Sequence, residues 1–164
     1  MSYERIDSSA KFDPVRSSHE IRYRLAKGFV EDGDTVLDAG CGTGYGKKIL
    51  KATKYIGLDK NPPKGFIKWD FDEQPIPDYE FDVFVGLEII EHLRNPHNLI
   101  QLAKRARKWI ILSTPVIPTS HRNEFHFQDF TTRQVARLFV DDDWETYNIF
   151  KQSGVNGIFV FGRK

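Results

Sequence analysis

The segment Val36-Leu37-Asp38-Ala39-Gly40-Cys41-Gly42-Thr43-Gly44-Tyr45-Gly46 carries more structural information than any other part of this chain. A short apolar run ends in an acid, glycines then alternate at 40, 42 and 44, and helical spacing follows. A buried strand, a loop with little side chain and a helix start, in that order, make a ligand loop. Glycine reaches positive φ at low steric cost and lets a ligand lie directly on the main chain. The helix start points unpaired N–H groups and the positive end of its dipole at that ligand. The spacing is not the dinucleotide pattern G-x-G-x-x-G: counted from Gly40 the last position is Tyr45, and from Gly42 it is Lys47. A nicotinamide dehydrogenase is therefore disfavoured. Asp38, just before the glycines, would repel a pyrophosphate there but suits a ligand carrying an ammonium group.

Working outward, short β-branched and aromatic runs alternate with helix-like segments, as expected of a parallel sheet covered by helices. Residues 35–40, 54–59, 65–69, 81–86 and 108–113 are strand candidates, and 44–52 and 96–107 carry helical spacing. In the second helix Leu99, Leu102, Ala103 and Ala106 share one face, while Lys104, Arg105, Arg107 and Lys108 crowd the end that favours cations. That basic turn reads as a solvated terminus more than as a nucleic-acid contact. Further on, a helix over 131–139 with Thr131 as N-cap precedes strands 143–150 and 155–162, which form a terminal hairpin. Between them, residues 114–130 (TPVIPTSHRNEFHFQDF) have no period, and their aromatic content predicts a docked, functional loop. The first 30 residues read as a polar lead and a helix (18–30) capping the sheet, and 1–164 as a single domain.

Composition excludes several classes. Hydrophobic residues make up 40% and charged residues 29%, enough for an ordinary core and unlike a disordered chain. Lysine plus arginine total 24 against 23 acids, so no global field drives binding to nucleic acid or an anionic membrane. The single cysteine, Cys41, rules out an intramolecular disulfide and a cysteine-cluster metal site. No apolar run is long enough for a membrane span, and the start lacks the apolar core of a signal peptide, so a cytoplasmic protein is expected.

Two further acids fall at predicted strand tips. Asp59 ends KYIGLD about 20 residues beyond the glycines, where a carboxylate can accept from both ribose hydroxyls. Asp70 follows GFIKW and could accept from an adenine amino group, with the Phe71 N–H serving a ring nitrogen. Together with the glycine loop they describe a pocket for an adenosine bearing an amino-acid tail. Asp59 also suits a cap for the segment after it, and Asp70 a turn shared with Asp72.

On these motifs the chain resembles the class I S-adenosylmethionine-dependent methyltransferases, with VLDAGCGTGYG, YIGLD, WDFDEQPIP, FDVFVGLEIIEHLRNP and WIILSTP in family order. It is most similar to bacterial methyltransferases of the small-molecule and carbohydrate type. Arg22-Tyr23, the glycine-tyrosine-glycine and Asn123 to His126 carry that similarity. The resemblance implies an α/β, Rossmann-like methyltransferase fold with a seven-stranded, mostly parallel sheet, helices on both faces and an antiparallel last strand. It implies S-adenosyl-L-methionine as cofactor and S-adenosyl-L-homocysteine as product. Cofactor binding would fall to Gly40 and Gly42 at the methionine part, Arg22 at its carboxylate, Asp59 at the ribose, Asp70 and Phe71 at the adenine, Leu87 packing on the adenine and Glu88 beside the methionine, with Asp38, Gly44 and Lys60 also in the set. The implied partner is a small polar acceptor such as a sugar hydroxyl, with no membrane and no nucleic acid. RNA or protein acceptors, and a non-catalytic cofactor-binding module, are the competing readings. The chain departs from the family by lacking the glycine pair before the fifth strand and the helical insert that often forms a lid.

A sulfonium already activates its methyl group, so neither a metal nor a covalent nucleophile is required. Aligning the acceptor can supply ~7–11 kcal/mol. A hydroxyl acceptor must lose a proton, for which histidine is the natural group. His92, His121 and His126 are candidates. His126 leads, because the loop after the fifth strand should overhang the methyl group and Asp129 is near enough to orient it; His92 also suits a structural role at a helix start. Asn61-Pro62-Pro63 follows the wrong strand to be the motif of amino-directed nucleic-acid enzymes.

Overall fold

The strand that runs into the glycines is β1 (Thr35–Ala39), at the centre of a seven-stranded sheet in the computed structural model of the protein. The structure describes residues 14–164; the polar lead expected over residues 1–13 lies outside them. Helix α1 (Pro14–Lys27) precedes β1, and α2 (Gly46–Leu50) leads to β2 (Lys54–Asp59) and a two-residue β3 (Ile67–Lys68). Then come β4 (Val83–Leu87), a 3-10 turn (Ile90–His92), α3 (His97–Ala103), β5 (Trp109–Pro115), α4 (Thr132–Phe139), β6 (Trp144–Gln152) and β7 (Asn156–Arg163). The order across the sheet is β3-β2-β1-β4-β5-β7-β6. All pairings are parallel except those of β7, which is antiparallel to both β5 and β6. The expected antiparallel last strand is therefore present, inserted between the fifth and the sixth.

From β1 the chain winds outward through β2 and β3 and then returns to β4 on the other side. The β1/β4 seam is thus the switch point, where helices on the two faces diverge and the strand tips open a crevice. Gly40 and Glu88 stand directly beyond these two strands.

Strand alternation supplies two cores. Leu37, Phe84, Ile110 and Phe159 face one layer with Leu99, Leu102 and Val135, while Val36, Val83, Val85 and Ile111 face the other with Tyr23, Ala26 and Leu50. Phe84 and Phe159 are fully buried; truncating such a side chain costs about 3–5 kcal/mol. Rigidity at the strand tips follows from this two-sided packing. No helix among the described residues is long and apolar enough to cross a membrane.

Several boundaries differ from expectation for local reasons. The helix expected over 96–107 stops at Ala103, where the N–H groups of Arg105 and Ala106 turn to Leu102 and Ala103 in tight bonds, although Ala106 stays buried. The cations after it are not a bare solvated end: Arg105 meets Asp78, Arg107 meets Glu80, and Lys108 meets Glu31 and Asp34. Helix α1 begins earlier than residue 18, at Pro14, whose fixed φ suits a helix start. Thr131 caps α4 in a reciprocal box: its Oγ1 accepts from Gln134 N–H at 3.3 Å, and Gln134 Oε1 accepts from Thr131 N–H at 2.8 Å.

Candidate active site

The glycine loop has the conformation its spacing predicts, with φ of +73° at Gly40 and +56° at Gly42. A Cβ on Gly40 would stand 2.9 Å from Ile89 Cδ1, whereas one on Gly42 would meet nothing within 4 Å. Gly42 is therefore the glycine that leaves open space beside the backbone. At Gly44 the Phe66 ring packs in the place that a Cβ would take. Asp59, at the tip of β2, ties the loop down: its Oδ2 accepts from Gly42 N–H and its Oδ1 from Asn61 N–H, both at 2.8 Å. The bond from Asn61 N–H is the local cap that the sequence offered as the alternative reading of Asp59.

Asp38 lies beneath the loop, fully buried, and the hydroxyls of Tyr23 and Tyr55 both donate to its Oδ2. Burial pushes its carboxyl up to about 7 against the opposing pull of the two hydroxyls. Asp38 anchors the two tyrosines that flank the loop. Gly46 has no Cβ because the Tyr23 ring and Asp38 fill that place.

The ionic centre of the site is Glu88, the residue after β4. It adopts φ +53° without being glycine, a strained geometry that surrounding contacts must hold. Its Oε1 lies 3.3 Å from Arg22 Nη1 and accepts from Ser113 Oγ at 2.7 Å, while Oε2 accepts from Asn156 Nδ2 at 2.7 Å. Burial raises the Glu88 carboxyl; Arg22, Ser113 and Asn156 oppose that shift. Arg22 is 4% exposed and donates through Nε to Gln152 Oε1 at 2.6 Å, yet its Nη1 makes no hydrogen bond among the described residues. Thr43 Oγ1, in the glycine loop, is likewise buried without a hydrogen-bond partner. Leu87 is buried at the end of β4.

At the other end, Lys60 pairs with Asp70 at 2.7 Å, and together with Asn61, Lys68, Glu73 and Gln74 they line a cleft of about 270 Å³. Asp70 Oδ1 accepts from Asp72 N–H at 3.1 Å, the turn that the sequence offered as an alternative. Phe71 is buried, and its carbonyl accepts from Asn98 Nδ2.

The fold brings the two leading histidines together. His92 and His126 meet edge to face with ring centroids 4.7 Å apart, and Glu91 lies beside them. His92 Nδ1 is 3.0 Å from the Phe125 carbonyl, and His126 Nδ1 is 2.7 Å from Thr119 Oγ1. Asp129 was expected to orient His126 itself; instead it accepts from the N–H groups of Thr119 and Ser120 and acts through Thr119. His121 stays on the exposed part of the loop beside Arg122. The loop over 116–130 is docked as predicted, with Phe127 N–H bonded to the Glu91 carbonyl and Gln128 Nε2 to that of Leu93, both at 2.9 Å. Glu91 is 1% exposed; burial and the neighbouring Glu88 hold its carboxyl well above the usual carboxylate range.

Sequence reasoning did not single out Tyr55, Ser113, Asn156, Glu91 or Thr119. Glu91 was the most accessible of these, since it precedes a candidate histidine and follows Glu88 by three residues. Asn156 and Ser113 had no local signal, because only sheet pairing brings them to Glu88.

A central glycine loop, acids at successive strand tips and the strand order with a reversed β7 together define a class I methyltransferase fold. A family model described as a methyltransferase domain matches residues 10–154, and the chain belongs to that family. A probable S-adenosylmethionine-dependent methyltransferase of Mycolicibacterium smegmatis is 28% identical over 163 residues, 84% of this chain and 63% of that protein. A probable enzyme of the same description from Mycobacterium tuberculosis is 27% identical over 65% of this chain and 47% of that protein. The chain thus spans less than two-thirds of the length of these curated relatives. Among solved structures, the magnesium protoporphyrin IX methyltransferase of Synechocystis, with bound S-adenosylhomocysteine, superposes with TM-score 0.71 at 14% identity, covering 96% of this chain and 90% of that one. At such identity the likeness establishes the fold.

Proposed function

We propose that the chain binds S-adenosylmethionine across the tips of β1, β2 and β4 and transfers its methyl group to the hydroxyl of a small polar acceptor. The observation that carries this reading is the buried Arg22–Glu88 pair beyond the end of β4, the neighbour of the strand β1 whose glycine loop leaves open space at Gly42. A guanidinium and a carboxylate side by side are complementary to a zwitterionic amino-acid tail, carboxylate to Arg22 and ammonium to Glu88. Arg22 Nη1 makes no hydrogen bond among the described residues, which supports that assignment. Asp59 would turn from Gly42 to the ribose hydroxyls, and Lys60, Asp70 and Phe71 border the adenine end. The names of the curated relatives and the family model agree with this cofactor.

When bound, the sulfonium supplies a methyl group ready for displacement. The chain's own part is to hold the acceptor in line, exclude water and take up the acceptor's proton. Loop 116–130 brings His126 beside His92, and in this reading the pair would face the acceptor. A sugar-like hydroxyl fits, because two imidazoles and a carboxylate offer hydrogen bonds to a polyol. Isothermal calorimetry with S-adenosylhomocysteine, followed by product release on a panel of hydroxylated acceptors, tests both halves. Absence of heat with that ligand from folded protein would refute the cofactor assignment, and binding without turnover on any hydroxyl acceptor would refute the acceptor assignment.

A further inference from the structure

We propose that Glu91, His92 and His126 form a binding site for a divalent first-row transition ion. One ligand atom from each residue lies within 4.8 Å of the others. Two imidazoles and one carboxylate are a donor set suited to zinc, manganese or iron, with coordination positions left open. The sequence reading called for no metal, because a sulfonium needs none to activate its methyl group; the three residues come from two separate segments that only the docked loop unites.

The surrounding bonds prepare these side chains for that role. The Phe125 carbonyl can only accept, so His92 Nδ1 must carry the proton, which leaves Nε2 with its lone pair outward. His126 Nδ1 is held by Thr119, whose N–H is in turn held by Asp129 at 2.7 Å. Outer partners of this kind fix tautomer and ring orientation in metal sites. Glu91 provides the independent observation: it is 1% exposed, Thr114 Oγ1 donates to its Oε2 at 3.1 Å, and its Oε1 has no hydrogen-bond partner among the described residues. A buried carboxylate oxygen left in this way is costly, and a bound cation relieves it. Donors on one ion stand roughly 3–3.5 Å apart at bond lengths near 2.1 Å, so small side-chain rotations complete the set.

An ion held there would leave positions open to an acceptor and favour one with two neighbouring oxygens, such as a vicinal diol; this last step rests on the methyl-transfer reading above, whereas ion binding itself does not.

The test is a titration of untagged, chelator-stripped protein with cobalt(II), followed by visible absorption and calorimetry. The expected result is uptake of about one equivalent, with affinity lowered about tenfold or more by His126→Ala and by Glu91→Gln, and unchanged by His121→Ala. Circular dichroism melts verify folding of each variant. Because Glu91 is buried, His126→Ala on the half-buried loop decides if Glu91→Gln does not fold. No stoichiometric uptake, or uptake with the same affinity in His126→Ala, overturns the proposal. Calorimetry of the same stripped protein with S-adenosylhomocysteine judges the cofactor reading separately, so failure of one is distinguishable from failure of the other.

Discussion

Arg22 of α1 and Glu88 beyond β4 form a buried ion pair, Nη1 to Oε1 at 3.3 Å, that joins the helix covering the sheet to the tip of its central seam. Removing one charge leaves the other desolvated and uncompensated, which costs about 3–5 kcal/mol in buried pairs. Glu88→Gln is expected to lower the melting temperature by roughly 6–20 °C and to abolish the stabilisation that S-adenosylhomocysteine gives the parent protein. Thermal melts with and without the ligand measure both effects; a variant that still gains its full ligand-induced shift would confine Glu88 to a structural role.

Asp59 and Asp70 should differ in their effect on affinity. Asp59 accepts from the glycine loop at 2.8 Å, while Asp70 is already neutralised by Lys60. Hydrogen bonds to a charged group contribute about 1.5–3 kcal/mol, so Asp59→Ala is expected to weaken S-adenosylhomocysteine binding by roughly tenfold to a hundredfold. Asp70→Ala should cost less. Calorimetry ranks the two, and the reverse ranking would place the ribose elsewhere.

Gly42 and Gly154 both have positive φ, +56° and +70°, with nothing near the position of a Cβ. Alanine at either site therefore carries a similar backbone penalty, roughly 1–2 kcal/mol. Only Gly42→Ala places a methyl group in the proposed ligand space. It is expected to lose cofactor affinity beyond its stability cost, while Gly154→Ala, in the turn between β6 and β7, keeps full affinity. Equal affinities in the two variants would contradict a ligand lying against Gly42.

Asp38 predicts a pH dependence of stability. Its folded carboxyl titrates at about 7, raised from 3.8 mainly by burial. Between these values the folded state holds a proton that the unfolded state has lost. Its contribution is therefore complete below about pH 4, declines as pH rises towards 7 and is gone above it, a change on the order of 4 kcal/mol. Asp38→Asn has no such proton and should flatten this part of the profile. Urea unfolding across that range, compared between the two proteins, checks it; parallel profiles would mean that Asp38 is ionised in the fold.

His126→Ala is expected to reduce turnover by roughly 10²–10⁴-fold while leaving S-adenosylhomocysteine affinity unchanged, since the proposed reading sets it on the acceptor side. Parallel loss of cofactor affinity would assign His126 to the opposite side of the reaction. Equal turnover would remove it from catalysis.

The β1 run, the alternating glycines and the acids after β2 and near β3 were legible because each is a local pattern. A strand buried on both faces must be apolar, and a tight loop with positive φ calls for glycine at fixed positions. The capping box at Thr131 and the apolar face of α3 were readable for the same reason, as near-neighbour relations along one helix. Even the docking of loop 116–130 was signalled by its aromatics.

Contacts between distant segments were not legible. Asn156 reaches Glu88 because β7 inserts antiparallel beside β5, Tyr55 reaches Asp38 because β2 lies parallel to β1, and His126 joins His92 because the loop folds back over the turn after β4. Burial likewise had to be seen in three dimensions: it withdrew Asp38 from the surface, closed Gly44 under Phe66 and left one oxygen of Glu91 without a partner. Strand and helix periodicities are written residue by residue along the chain, whereas the partner of a buried charge depends on which elements the packed core sets side by side.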